Sequence, residues 1–144
     1  MITTTREALR LTKLAPDTEI YRLVQLPKNA ITLAAGVLAE VGSPFTALII
    51  DKDEVTLVLP HEAIEEFSGR LRDATLDASN YRLITFDAVL PAGLVGYMAA
   101  ISAAVARVGV SIIPLGAFSR DHILVREAQF DAAMDALQSM ISEA

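Results

Sequence analysis

A chain of 144 residues with 53% hydrophobic and 21% charged residues is too apolar to be disordered, and it can bury the core of one compact domain or two small ones. Twelve Lys and Arg against eighteen Asp and Glu give a formal net charge of −6, which argues against nucleic acid as a partner. The absence of Cys excludes disulfides, thiolate nucleophiles and Cys-ligated metal or iron–sulfur sites, and suits the cytoplasm as a reducing compartment.

The opening MITTTREALR has no apolar run of the kind a signal peptide carries. Leu9 to Leu14 alternates as a first strand and ends at the turn Ala15-Pro16-Asp17-Thr18. Ile20 to Leu26 reads as a returning strand closed by Pro27. Asn29 is placed to cap a helix running to about Val41, with Gly42 as its stop. Phe45 to Ile50 and Val55 to Leu59 read as two strands around the polar loop Asp51-Lys52-Asp53-Glu54. Pro60 opens a helix in which Ile64, Phe67 and Leu71 recur at helical spacing. Asp73 to Asn80 is polar and without period, and reads as a linker.

After it the sequence starts again. Tyr81-Arg82-Leu83-Ile84-Thr85-Phe86 repeats Tyr21-Arg22-Leu23-Val24-Gln25-Leu26 at an offset of sixty residues. A helix from about Gly93 to Val108 carries Leu94, Met98, Ile101 and Val105 on one stripe and stops at Gly109. Val110 to Phe118 and His122 to Val125 repeat the strand pair, and Phe130, Met134, Leu137 and Ile141 mark a last amphipathic helix. Ala88 to Ala106 runs nineteen residues without a charge. Pro91, Gly93, Gly96 and Ser102 and its many alanines make it a poor membrane span, so no membrane association is expected.

The fold class is therefore α+β, with residues 1–75 and 76–144 as two units. Eight basic against eleven acidic residues in the first, and four against seven in the second, leave −3 in each. Each half reads strand, helix, strand, strand, helix, one strand short of a ferredoxin-like βαββαβ unit. The spare N-terminal strand is the candidate to complete the second unit's antiparallel sheet, which would interlock the halves.

The runs Pro91 to Ser102, Ala106 to Ile112 and Arg120 to Val125 resemble the ACT domain, and more closely the small bacterial proteins with two tandem ACT-like units related to the regulatory ends of aspartate kinases. The likeness covers residues 81–144, and in residues 20–72 rests on the repeat, on Ser43-Pro44-Phe45-Thr46 and on element order. It implies a regulatory protein that takes a small ligand, commonly an amino acid, at an interface between two units; an edge-exposed sheet and an apolar composition add the expectation of a homodimer. The matching acidic position in amino-acid-sensing relatives implies that Asp121 accepts from the ligand ammonium.

The residues support this chemistry on their own. A zwitterion needs donors beside acceptors. The turn Gly93-Leu94-Val95-Gly96, leading into a helix, offers unpaired N–H groups and the positive end of the helix dipole to a carboxylate. Phe118 and Ser119 are candidates for the side-chain pocket. Each residue also has a plain structural role open to it: close packing for the glycines, a hairpin turn for Asp121, core for Phe118. Pro27-Lys28-Asn29-Ala30 has no glycine, so one site per chain is expected.

Catalytic signals are absent. His61 and His122 lack metal-pair spacing, and there is no G-x-S-x-G elbow, phosphate loop or G-x-G-x-x-G fingerprint. Asp51, Asp53 and Glu54 lack the EF-hand register. We expect no cofactor, no metal and no catalytic residues. The alternative function is an interaction module of the same fold with no small ligand.

Overall fold

The computed structural model describes residues 1–144. The chain divides into two compact units, one formed by Glu19–Tyr81 and the other by Met1–Thr18 together with Arg82–Ala144. No helix is long and apolar enough to cross a membrane.

The N-terminal segment folds as helix α1 (Thr5–Leu11) followed by strand β1 (Lys13–Pro16). The expected strand from Leu9 is thus mostly helix. Thr4 Oγ1 accepts from the Glu7 N–H at 3.1 Å, and the Glu7 carboxylate accepts from the Thr3 N–H at 3.0 Å. The first bond satisfies a donor that an uncapped first turn would leave open, and the second ties the preceding residue to the helix. Ala8 and Leu9 are buried while Leu11 is exposed, which alternation along a strand does not produce.

In the unit Glu19–Tyr81, β2 (Tyr21–Pro27), α2 (Ile31–Glu40), β3 (Ala47–Ile50), β4 (Glu54–Pro60), α3 (His61–Glu66) and β5 (Thr75–Leu76) follow in order. All pairings are antiparallel: β4 lies on β2 from Tyr21↔Pro60 to Pro27↔Glu54, β3 on β4, and β5 on β2 through Val24↔Leu76 and Gln25↔Thr75. The order β3-β4-β2-β5 is that of a ferredoxin-like βαββαβ unit. Residues 73–80 are therefore no bare linker, and this half is not one strand short. The two-residue β5 is extended by the Asp77 N–H donating to the Leu23 carbonyl at 2.9 Å. Asn29 does not cap α2. Ala30 holds the cap position with no side-chain bond, and its N–H donates to the Pro27 carbonyl at 2.9 Å. The helix ends at Glu40, two residues before Gly42. Apolar residues of β2, α2 and β4, including Val24, Leu26, Val37, Leu57 and Leu59, form this unit's core. The acidic β3–β4 tip folds on itself: Asp51 Oδ1 accepts from the N–H groups of Asp53 and Glu54 at 2.7 and 2.9 Å.

The other unit combines α1 and β1 with β6 (Tyr81–Asp87, whose first residue belongs to the preceding unit), α4 (Tyr97–Ala106), β7 (Ile112–Gly116), β8 (Asp121–Arg126), a 3-10 turn (Glu127–Gln129) and α5 (Phe130–Glu143). β8 pairs with β7 and lies beside β6, and β1 lies antiparallel on β6 from Lys13↔Asp87 to Pro16↔Ile84. The order is β7-β8-β6-β1, with its last strand drawn from the chain's N-terminus. Ile84, Phe86, Tyr97, Ile101, Ile123 and Leu137 pack with Ala8 and Leu9 of α1. α4 begins at Tyr97 rather than Gly93, because Gly96 stands in the left-handed region at φ 92°. Gly109, at φ 77°, follows the helix end, and the Val110 N–H closes back on the Val105 carbonyl at 3.0 Å.

One buried polar chain ties α1 to α4. Thr12 Oγ1 donates to the Ala8 carbonyl at 2.7 Å and lies 2.6 Å from Tyr97 Oη. A carbonyl only accepts, so the threonine proton is committed and the phenol donates to Thr12. Thr12→Val should therefore strand a buried phenol donor and cost about 1–3 kcal/mol, Tyr97→Phe about 0.5–1.5 kcal/mol, and the double variant less than the sum. Urea unfolding of the four proteins measures this. Additive losses would show that the bond is not made.

Candidate functional site

Nine residues, 88–96, connect β6 to α4, and they do not lie flat. The Leu90 N–H donates to the Ser119 carbonyl at 2.8 Å, and the Leu94 N–H to the Pro91 carbonyl at 3.1 Å. This loop is thereby stitched to the β7–β8 turn, which is itself closed by the Ala117 N–H donating to the Arg120 carbonyl at 3.0 Å. Loop, turn and the first turn of α4 enclose an open cleft of about 430 Å³, within the range of roughly 300–1,000 Å³ of small-ligand sites.

Leu94, Gly96, Phe118, Ser119 and Asp121, five of the seven residues singled out in the sequence, line this cleft. Gly93 and Val95 do not. A Cβ at Gly93 would meet nothing within 4 Å, and Val95 is 87% exposed. Phe118 is not core: it is 100% exposed, at the tip of the β7–β8 turn. Arg120, Met98 and Leu90 also line the cleft, and sequence reasoning passed over them. Arg120 was legible beside Asp121, whereas Met98 and Leu90 are ordinary apolar residues whose place depends on how the loop folds.

The donors come from α4. No side chain caps the helix, and the N–H groups of Tyr97, Met98 and Ala99 lie in its first turn, where no intrahelical carbonyl can accept from them. The same three residues line the cleft. Gly96 permits this opening, since its left-handed backbone admits the abrupt entry into the helix. Thr5 Oγ1 donates to the Val95 carbonyl at 2.5 Å, which fixes the turn from behind.

Asp121 lies opposite Gly116 in the β7–β8 register and lines the same cleft. Asp121 and Arg120 are the two charged residues in the lining, and the Arg120 Nε–H donates to Asp87 Oδ1 at 2.8 Å. Burial pushes the Tyr97 phenol pKa up; the Thr12 contact opposes this, and the Asp121 carboxylate adds to the rise. His122, next along β8, lies 2.8 Å through Nδ1 from Thr85 Oγ1. Burial lowers its pKa, opposed by Asp121 and assisted by Arg120. No group of three or more His, Asp or Glu stands close enough to hold a metal ion. The cleft thus sets the first-turn N–H groups of α4 and one carboxylate, Asp121, in the same lining.

The comparisons agree with this fold. Residues 78–139 match the family model of the ACT domain. None of the curated proteins matches the chain in sequence. Among solved structures, a protein of Agrobacterium tumefaciens is similar at a TM-score of 0.71 and 19% identity, over 90% of this chain and 88% of its own. A Vibrio cholerae protein of unknown function is similar at 0.70 and 21%, over 96% of both chains. The ligand-free regulatory subunit of aspartate kinase from Thermus thermophilus is similar at 0.66 and 16%, over 88% of this chain and 95% of its own. At these identities the likeness is one of fold.

Two measurements check the local geometry. Gly96→Ala should destabilise by roughly 1–2 kcal/mol, since an L-residue is strained at positive φ, while Gly93→Ala should stay within about 0.5 kcal/mol; equal losses in thermal melts would refute the assignment of the turn. His122 should titrate below the ordinary 6.5 when followed by proton NMR. Because its folded pKa is depressed, the unfolded chain binds the extra proton first. Stability should therefore fall as pH drops from about 6.5 through the folded pKa, and His122→Gln should flatten that fall.

Proposed function

We propose that this protein, an ACT-domain protein through residues 78–139, is a non-catalytic sensor or regulatory subunit that binds a free amino acid in the cleft between loop 88–96 and the β7–β8 turn. The observation that carries the reading is the pairing, in one open cleft, of the uncapped first turn of α4 with the Asp121 carboxylate. The N–H groups of Tyr97 to Ala99 take the ligand carboxylate, favoured by the helix dipole. Asp121 takes the ammonium. Gly96, by its left-handed backbone, sets the entry into α4 that leaves these groups open, and Phe118 and Ser119 border the ligand's remaining atoms.

Both units carry the same antiparallel strand order, which supports reading the chain as two tandem ACT-type units, and the absence of Cys suits the cytoplasm. Ile49 and Ile50 on the edge strand β3 are exposed, as is usual for a surface that meets protein, and we assign that surface to a homodimer. The regulatory subunit of aspartate kinase among the similar folds supports a regulatory role over an enzymatic one.

A thermal-shift and calorimetric screen of the twenty amino acids tests the reading. A ligand at a hundredfold excess over its Kd should stabilise the protein by about 2.7 kcal/mol. Asp121→Asn should weaken binding by about tenfold or more, through loss of a charged hydrogen bond, while Gly93→Ala, outside the lining, should leave it unchanged. No shift with any amino acid at millimolar concentration would overturn the assignment.

A further inference from the structure

The cleft's walls differ in kind from its polar end. Leu90, Pro91, Leu94, Met98 and Phe118 contribute apolar side chains to the lining beside the α4 N-terminus. Against them stand two charged groups, Arg120 and Asp121. Arg120 is already neutralised by Asp87 at 2.8 Å. If Asp121 meets the α-ammonium, no second carboxylate lines the cleft for a cationic side chain. An acidic side chain would bring a further carboxylate beside Asp87 and Asp121, with one guanidinium among the three. The charge inventory thus suits the two backbone ends of an amino acid and nothing more.

Phe118 adds a second argument. A fully exposed phenylalanine that lines a cleft still has its burial free energy to gain when something apolar covers it. It stands on a turn of four residues, 117–120, closed by one backbone bond, where its ring can lie against a bound apolar group.

We propose that the ligand is an α-amino acid with a sizeable aliphatic or aromatic side chain, such as leucine, methionine or phenylalanine, and that Phe118 closes over that side chain. The inference rests on the amino-acid reading above and narrows it. Leu94 and Met98 share the lining with Phe118, and selectivity comes from removing apolar surface from water while leaving charged side chains without partners.

Calorimetry on the full chain with leucine, methionine, phenylalanine, alanine, lysine and aspartate is the test. At least one of the large apolar ligands should bind about tenfold or more tightly than alanine, the gain expected from methylenes entering an apolar pocket, and lysine and aspartate should bind no better than alanine. Phe118→Ala, at a fully exposed position, should keep the melting temperature of the unliganded protein and reduce the preference for the large apolar ligand over alanine several-fold. Tighter binding of lysine or aspartate, or equal binding of leucine and alanine, would overturn the apolar assignment and leave the amino-acid reading standing. An unchanged preference in Phe118→Ala would remove the closing role. No binding by any amino acid would overturn both.

Discussion

The hydrogen bond from Tyr97 to Thr12, continued to the Ala8 carbonyl, is the contact on which the geometry of the cleft depends. Tyr97 is the first residue of α4, so fixing its phenol fixes where the helix begins and where its open N–H groups face. Thr12 is the one polar side chain counted among the buried residues, and burial makes the satisfied chain costly to disturb. Thr5, two turns earlier, holds the Val95 carbonyl. Both anchors come from the first twelve residues, and β1 then continues directly onto β6. The N-terminal segment is therefore at once the last strand of its sheet and the clamp on the site's helix, and Ala8 and Leu9 add their burial to the same core.

The contrast between the two strand-to-helix connections explains why one unit has this cleft and the other does not. Between β2 and α2 three residues, 28–30, suffice, and the Ala30 N–H is spent on the Pro27 carbonyl. Between β6 and α4 there are nine, 88–96. The longer connection reaches out to Ser119 and becomes one wall, while the β7–β8 turn becomes the other. The sequence marked this difference as presence or absence of glycine. In the structure the glycine that acts is Gly96, by its positive φ, and length does the rest.

Strand and helix order were legible because each follows from local pattern: the Tyr-Arg-Leu repeat fell on β2 and β6, and the stripe of Leu137 and its neighbours on α5. What failed were elements whose pattern is weak or contested. Leu9 to Leu14 satisfies alternation, yet the Thr4-x-x-Glu7 cap was also present in the sequence and wins, because its bonds satisfy the first turn of a helix whose apolar face then packs on α4. β5 is two residues long, too short for any period. Its place on β2 is decided by pairing, which no local reading reaches. Phe118 looked like core because it follows a strand of apolar residues, but the turn at 117–120 puts it outside.

The candidate site divides along the same line. Asp121, Ser119 and Gly96 could be named because turn residues and helix starts announce themselves by type. The apolar wall could not, since Leu90 and Met98 have the composition of core residues and differ from core only in facing a space that a folded loop leaves open. A leucine in a sequence is silent on whether it meets another side chain or a ligand. That choice is made by the bond from Leu90 to Ser119, which holds loop and turn together at the cleft's edge and so leaves Leu94 and Met98 lining an open space.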